Sequence, residues 1–341
     1  MKLSYPLTFV LYLGVTARLF SQSPPQVARM PEVTVQARPG LSLVTLDLET
    51  KRAELALIPG AAEVINADSY KRGRSTTIRD ALDFAPGVFV QQRFGAEEAR
   101  ISIRGSGIQR TFHGRGLLLL QDDVPLNLAD GSFDFQSIEP LATRYIEVYR
   151  GANSLQFGST VLGGALNFIS FTGYDASPLT ARVEYGSFNS FRAQLSSGLV
   201  IGAFDYYVSL TTGITDGFRE HSDQANFRIF SNVGYRASEE VETRFYFTYV
   251  LTDSELPGAL TKAQMEEDPR QAAQTNVIND WKRDYYQVRL ANKTVWQRDD
   301  HRVELTGFWS LKDLDHPIFV VIDQLSNDFG FSLRYDNSGD L

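Results

Sequence analysis

From Thr180 onward the chain alternates apolar and polar side chains with period two. Phe245, Phe247, Tyr249 and Leu251 fall on one face of an extended segment, with Arg244, Tyr246, Thr248 and Thr252 on the other. The same alternation sets Val303, Leu305, Trp309 and Leu311 against Arg302, Glu304, Thr306 and Lys312. It sets Tyr206, Val208, Leu210 and Ile214 against Tyr207, Ser209, Thr211 and Thr215, and Val288 and Leu290 against Gln287 and Arg289. The pattern predicts eight strands, near 180–187, 190–199, 204–215, 225–236, 241–252, 284–296, 302–314 and 329–336. The connections at 200–203, 237–240 and 297–301 are tight and polar, whereas 216–224, 253–283 and 315–328 read as longer loops. Short turns on one side and long loops on the other suit a transmembrane β-barrel; the short gap at 188–189 is an exception. A β-sandwich alternates in the same way, so a secreted sandwich stays open as a second architecture.

Residues 49–172 have a different texture. Ser75 to Phe84 reads as a short amphipathic helix closed by Pro86 and Gly87, and Arg100–Arg104, Leu117–Leu120 and Tyr145–Tyr149 read as strands. The glycines at 151, 158, 163 and 164 raise the question of a phosphate loop, but no lysine precedes Ser or Thr at a helix start, and no GxGxxG opens one. Gly164 is followed by the apolar run Ala165 to Ile169, so these glycines belong to turns and to close backbone approaches between strands. At the amino terminus, Lys2, the apolar run Leu7 to Val15 and the polar exit at Ser21 to Pro25 have the parts of a secretory signal over 1–23.

Composition narrows the function classes. The 341 residues carry a net charge of -8 and no basic stripe, which excludes nucleic acid as an expected partner. Cysteine is absent, so disulfides and thiolate metal sites are excluded, and the four histidines show no ligand spacing. No nucleophile with its base and no carboxylate constellation stands out; neither enzymatic activity nor a cofactor is expected.

Several segments taken in order resemble the plug of TonB-dependent outer-membrane receptors. They are Ala81-Leu-Asp-Phe-Ala-Pro-Gly-Val88, Ile101-Ser-Ile-Arg-Gly105, Leu120-Gln-Asp-Asp-Val-Pro-Leu126, Ile146-Glu-Val-Tyr-Arg-Gly151 and Gly163-Gly-Ala-Leu-Asn167. The stretches 105–116 and 125–131 are similar in texture to the ferric-citrate receptor branch. The resemblance implies an α+β plug domain at 49–172 inside an antiparallel transmembrane β-barrel, of which 173–341 supplies only the amino-terminal strands. Family members close about twenty-two strands round the plug; an eight-stranded barrel is filled by its own side chains, so the chain is expected to be a truncated receptor. Residues 24–48 then hold a linker and a segment similar to the TonB box: Pro31, Glu32, Val33, Thr34, Val35, Gln36 and Ala37. Its extended pattern suits strand addition to a partner's sheet edge.

By the same resemblance the partners are the TonB energy-transducing complex of the inner membrane, a ferric chelate and outer-membrane lipid, with a monomer expected for the complete receptor. Import of a vitamin, nickel or a saccharide is the alternative cargo. Arg104 and Arg150 are expected to pair with barrel glutamates as a lock between plug and barrel. Arg110, His113 and Arg115 gather positive charge suited to an anionic chelate, and Asn127, Asp130 and Phe133 lie on the neighbouring candidate loop. No protein-supplied iron ligand is expected.

Overall fold

The computed structural model describes residues 42–58, 60, 62–93, 97–107, 114–158 and 161–337. The signal segment, Pro31–Ala37, Arg110 and His113 therefore lie outside the described residues.

The plug region begins with α1 (Leu48–Ala56), capped by the Asp47 carboxylate, which accepts from the backbone N–H groups of Glu49 and Thr50. It continues through β1 (Ala62–Asn66), α2 (Asp68–Lys71) and α3 (Ile78–Leu82). The expected amphipathic helix is present but short: Thr77 and Asp80 form a capping box at its start, and Ile78, Ala81 and Leu82 are its buried face. Then follow β2 (Val88–Gln92), β3 (Ala99–Ile103), β4 (Leu117–Gln121), β5 (Val124–Pro125), β6 (Thr143–Arg150) and β7 (Gly164–Ser170).

Five of these strands form a mixed sheet in the order β1-β6-β7-β4-β5, in which β4 runs parallel to β7. The run Leu117–Leu120 is buried throughout because the sheet is covered on both faces. Leu117 and Leu119 pack with Ile103, Ile146, Leu166 and α3; Leu118 and Leu120 pack on the other side with Leu55 of α1, Tyr149 and Ala165. Gly164 earns its place between β6 and β4: its φ is +145°, and a Cβ there would lie 2.6 Å from the Tyr149 carbonyl oxygen. The glycine run that opens β7 is thus a close backbone approach inside a sheet.

The wall is one antiparallel sheet of eight strands in sequence order: β8 (Thr180–Tyr185), β9 (Phe191–Ile201), β10 (Phe204–Thr215), β11 (Gln224–Arg236), β12 (Val241–Ser254), β13 (Asp284–Arg298), β14 (His301–Pro317) and β15 (Val321–Asn337). The connection between β12 and β13 carries two short helices, α4 (Lys262–Glu267) and α5 (Gln274–Ile278). The expected long loop at 315–328 is corrected: β14 and β15 pair through Pro317 and Val321, which leaves three residues between them. The polar run Asp323 to Asp328 looks like a loop in sequence, yet its members alternate across the ladder, and Asn327 accepts from the Trp309 indole N–H at 2.7 Å. Long and short connections therefore stop taking turns at the last hairpin.

The alternation itself holds. Phe245, Leu251, Leu210, Ile214, Leu290 and Leu305 are exposed, whereas Arg244, Thr248, Thr252, Ser209, Thr211, Gln287, Arg289, Thr306 and Lys312 are buried. A sheet with its apolar row outward and its charged row inward is the reverse of a soluble sandwich. Aromatic rings flank the apolar band, with Phe227, Tyr249 and Tyr286 in edge contact near one end and Phe204 stacked on Tyr235 near the other. Along β11, Phe227 and Tyr235 are about 27 Å apart at strand rise, or roughly 20 Å in height at barrel tilt, close to an outer-membrane apolar band. Among the described residues no helix is long and apolar enough to cross a membrane.

Candidate functional site

The functional surface is the polar boundary between plug and wall, together with the plug loops beside it. Five basic residues on the wall side meet five plug carboxylates. Arg192 pairs with Glu139; Arg228 pairs with Glu97 and lies 3.7 Å from Glu139. Arg283 pairs with Glu98 at 3.0 Å and with Asp134, which also receives Lys312, and Lys293 pairs with Asp123. The wall cations also grip plug carbonyls: Arg228 donates to Gln136 at 3.1 Å, and Arg289 to Val124 and Pro125 at 2.7 and 2.9 Å. Charges enclosed this completely need partners, and the pairing is near one to one.

Arg104 and Arg150, expected to lock plug to barrel, make the following bonds within the plug. Arg150 is buried, but its guanidinium donates to Glu63 of β1 and to the Pro86 carbonyl, both within the plug. Arg104 is exposed with φ +51° and donates to the Gly60 carbonyl at 3.1 Å. The enclosed ion pairs named above run from wall arginines and lysines to plug acids, and Arg144 of β6, paired with Asp175, runs the other way. Both arginines end β-runs before glycine, a position that marks a turn in the plug.

The hairpin joining β4 to β5 places one of these carboxylates, Asp123, beside a second acid, Asp122. Asp122 and Asp123 both take positive φ, +53° and +66°, as a two-residue primed turn requires. Asp122 points back to β7, accepting from the Ser170 backbone N–H and hydroxyl at 2.9 Å. Asp123 points to Lys293 and accepts from Asn167 Nδ2 at 2.7 Å. Asn167 also donates to Glu147, which receives the Tyr149 hydroxyl at 2.9 Å and lies 3.5 Å from Lys51 of α1. Glu147 and Asn167 were missed in the sequence reading; the usable signal was a single polar residue inside an otherwise apolar strand. This charged cluster lines one side of a cavity of about 1080 Å³ between the plug sheet and β14–β15.

Burial pushes the Asp122 carboxyl up to about 6 from 3.8, against the pull of its Ser170 hydrogen bonds. The folded protein therefore holds this proton more tightly than the unfolded chain. The stability so gained is full below about pH 4 and is lost as the pH rises through 6, amounting to about 3 kcal/mol by neutral pH. Asp122→Asn is expected to remove this descending limb between pH 4 and 6 while keeping the acceptor for Ser170; urea midpoints at both pH values check it. Asp123, one residue on, is held low despite burial, because Lys293 stands beside it.

The candidate ligand residues separate. Arg115 and Asp130 are exposed and paired at 2.7 Å. The Asp130 carboxylate also accepts from Ser132 N–H and hydroxyl, and these bonds hold it well below the usual carboxylate range. Asn127 is spent on the fold: it accepts from Leu119 N–H at 2.9 Å and donates to the Leu117 and Gly131 carbonyls. Phe133 is a core residue, edge-on to Phe135 with centroids 5.3 Å apart. Asn127 and Phe133 thus shape the loop and leave Arg115 with Asp130 as its accessible charged pair.

Residues 54–165 match the family model described as TonB-dependent Receptor Plug Domain. The chain is similar in structure to the ferric citrate transporter FecA in its unliganded form, with TM-score 0.68 and 18% identity over 82% of this chain and 44% of that one. It is also similar to the ferric yersiniabactin uptake receptor FyuA of Yersinia pestis, with TM-score 0.67 and 17% identity over 82% of this chain and 46% of that one. A third is the siderophore receptor PiuA of Acinetobacter baumannii, with TM-score 0.63 and 16% identity over 83% and 43%. The chain spans less than half the length of these structures. The expected fold class is therefore shown: a plug domain with a large antiparallel sheet that resembles part of a TonB-dependent barrel and is not closed.

Proposed function

From a chain that carries a TonB-dependent receptor plug domain packed on one sector of the receptor wall, we propose that the protein imports a ferric chelate of the siderophore or citrate type across the outer membrane. The observation that carries this reading is the matched plug folded against a sheet whose outward row is apolar and whose inward row is charged. It is read as a transport protein, without enzymatic activity. The similar structures include a ferric citrate transporter and a ferric yersiniabactin uptake receptor, which supports iron over a vitamin, nickel or a saccharide.

Capture is assigned to Arg115, with Arg110 and His113 beside it in sequence. Arg115 is already charge-paired with Asp130, so a chelate carboxylate can take the place of that side chain on the guanidinium. Energy is assigned to Pro31–Ala37, gripped as an added strand by the TonB complex. A pull there reaches the described chain at Ser42 and Leu43, whose hydroxyl and N–H donate to wall Glu242 at 2.8 and 2.6 Å.

Growth on single defined iron chelates, with the full-length receptor and with Pro31–Ala37 deleted, tests the reading. Growth on at least one ferric chelate is expected to require the receptor and to be lost on the deletion. Equal growth of both strains and of a receptor-less strain on every chelate removes the iron assignment.

A further inference from the structure

Outside the plug, one cluster in the long connections of the wall is built of acceptors facing acceptors. His221 follows β10, Glu255 follows β12 and Asp280 precedes β13; a nitrogen or oxygen of each lies within 4.8 Å of the others. The His221 side chain is 9% exposed, and its Nε2 is 3.0 Å from the Trp281 carbonyl oxygen. A carbonyl only accepts, so Nε2 carries the ring proton. In the neutral ring Nδ1 then presents a lone pair, and what it faces, at 3.5 Å, is the Glu255 carboxylate. That carboxylate is fixed in turn, for its other oxygen accepts from the Asp223 N–H at 3.1 Å. In that form of the ring a lone pair and two carboxylates converge, and the nearby cation Lys282 is engaged first by Asp284 and more weakly by Asp315 and Asp280.

We propose that His221, Glu255 and Asp280 bind a divalent transition-metal ion of the zinc class, which ties the connection after β10 to the connection between β12 and β13. An imidazole whose far N–H is held by a backbone carbonyl has the orientation that metal-binding histidines take. One nitrogen and two carboxylate oxygens suit Zn²⁺ with water in the fourth position, and the nitrogen argues against Ca²⁺ or Mg²⁺. Tetrahedral zinc needs donor atoms roughly 3.3 Å apart. Closing to that spacing asks for a turn of the exposed Asp280 carboxylate, while His221 and Glu255 stay where their backbone bonds hold them. The two connections are already laced together by Arg219, which donates to the Pro257, Gly258 and Gln271 carbonyls, so the ion would close a preformed junction. This site does not depend on the cargo, and its failure would leave the import reading untouched.

The test is a Zn²⁺ titration of the untagged full chain in detergent, read by competition with a chromophoric chelator, beside His221→Ala, Glu255→Gln and Asp280→Asn. Heat-modifiable gel mobility reports that each variant is folded. The expected result is one saturable zinc per chain, weakened at least about tenfold in His221→Ala and Glu255→Gln. Asp280→Asn, at an exposed turn position, should also weaken binding while preserving the fold. Zinc should further slow proteolysis within 256–283. Absence of saturable zinc binding, equal affinity in all four proteins, or saturation by Ca²⁺ in preference to Zn²⁺ would each overturn the assignment.

Discussion

Arg228→Ala is expected to lower the stability of the folded protein by about 3–5 kcal/mol, the range for stripping one partner from a buried ion pair. The loss follows from what stays behind. Glu97, whose carboxylate is 8% exposed, and Glu139, which is fully enclosed, keep their charges when Arg228 is gone. Glu139 retains Arg192, but Glu97 and the Gln136 carbonyl lose their donor. The measurement is the urea midpoint in detergent with the slope unchanged. Combining Arg228→Met with Glu97→Gln should recover part of the loss, because the double replacement removes the charge that the single one orphans. Equal loss in the single and double variants would show that Arg228 acts through packing alone.

Gly164→Ala is expected to cost between about 2 and 6 kcal/mol, the sum of strain at positive φ and overpacking of a filled core. The added Cβ would lie 2.6 Å from the Tyr149 carbonyl and 2.9 Å from Ile103 Cδ1, and neither can retreat. The carbonyl belongs to the β6–β7 ladder, and Ile103 is fully buried. Gly105→Ala is the control: its φ is +89°, but nothing lies within 4 Å of the new atom, so only the strain of about 1–3 kcal/mol applies. A midpoint shift at Gly164 no larger than that at Gly105 would mean that the close approach of the two strands carries no weight.

The wall was the most legible part of the sequence, because period-two alternation is enforced position by position wherever one face is an exposed apolar row and the other a buried polar one. The one misplaced strand, β15, carries Asp323 and Asp328 among its apolar residues, so its beginning reads as loop until its partner β14 is in place. The plug's order of elements was legible through its turns, where Gly87, Gly105 and the Asp122-Asp123 pair all need positive φ. Long-range pairing was not. Glu139 and Arg192 are 53 positions apart, and Asp134 and Lys312 are 178 apart. Nothing in local sequence separates an acid that meets the wall from one that meets water. For the same reason the sequence did not show that Asn127 bonds to the loop's own backbone and Phe133 packs in the core, since a polar loop with an aromatic reads alike whether its side chains turn out or in. His221, Glu255 and Asp280 escaped a search by ligand spacing because two connections, and positions 25 residues apart within one of them, bring them together.

The account rests on a wall that turns alternate side chains to lipid and to a charged plug. The chain has no cysteine, so single cysteines can be placed without background. Spin-labelled lipid should quench a fluorophore attached at Phe245, Phe247 or Leu251 and leave one at Thr248, Val250 or Thr252 unaffected, in protein reconstituted into bilayers. Equal quenching along β12, or quenching confined to the second set, would contradict it.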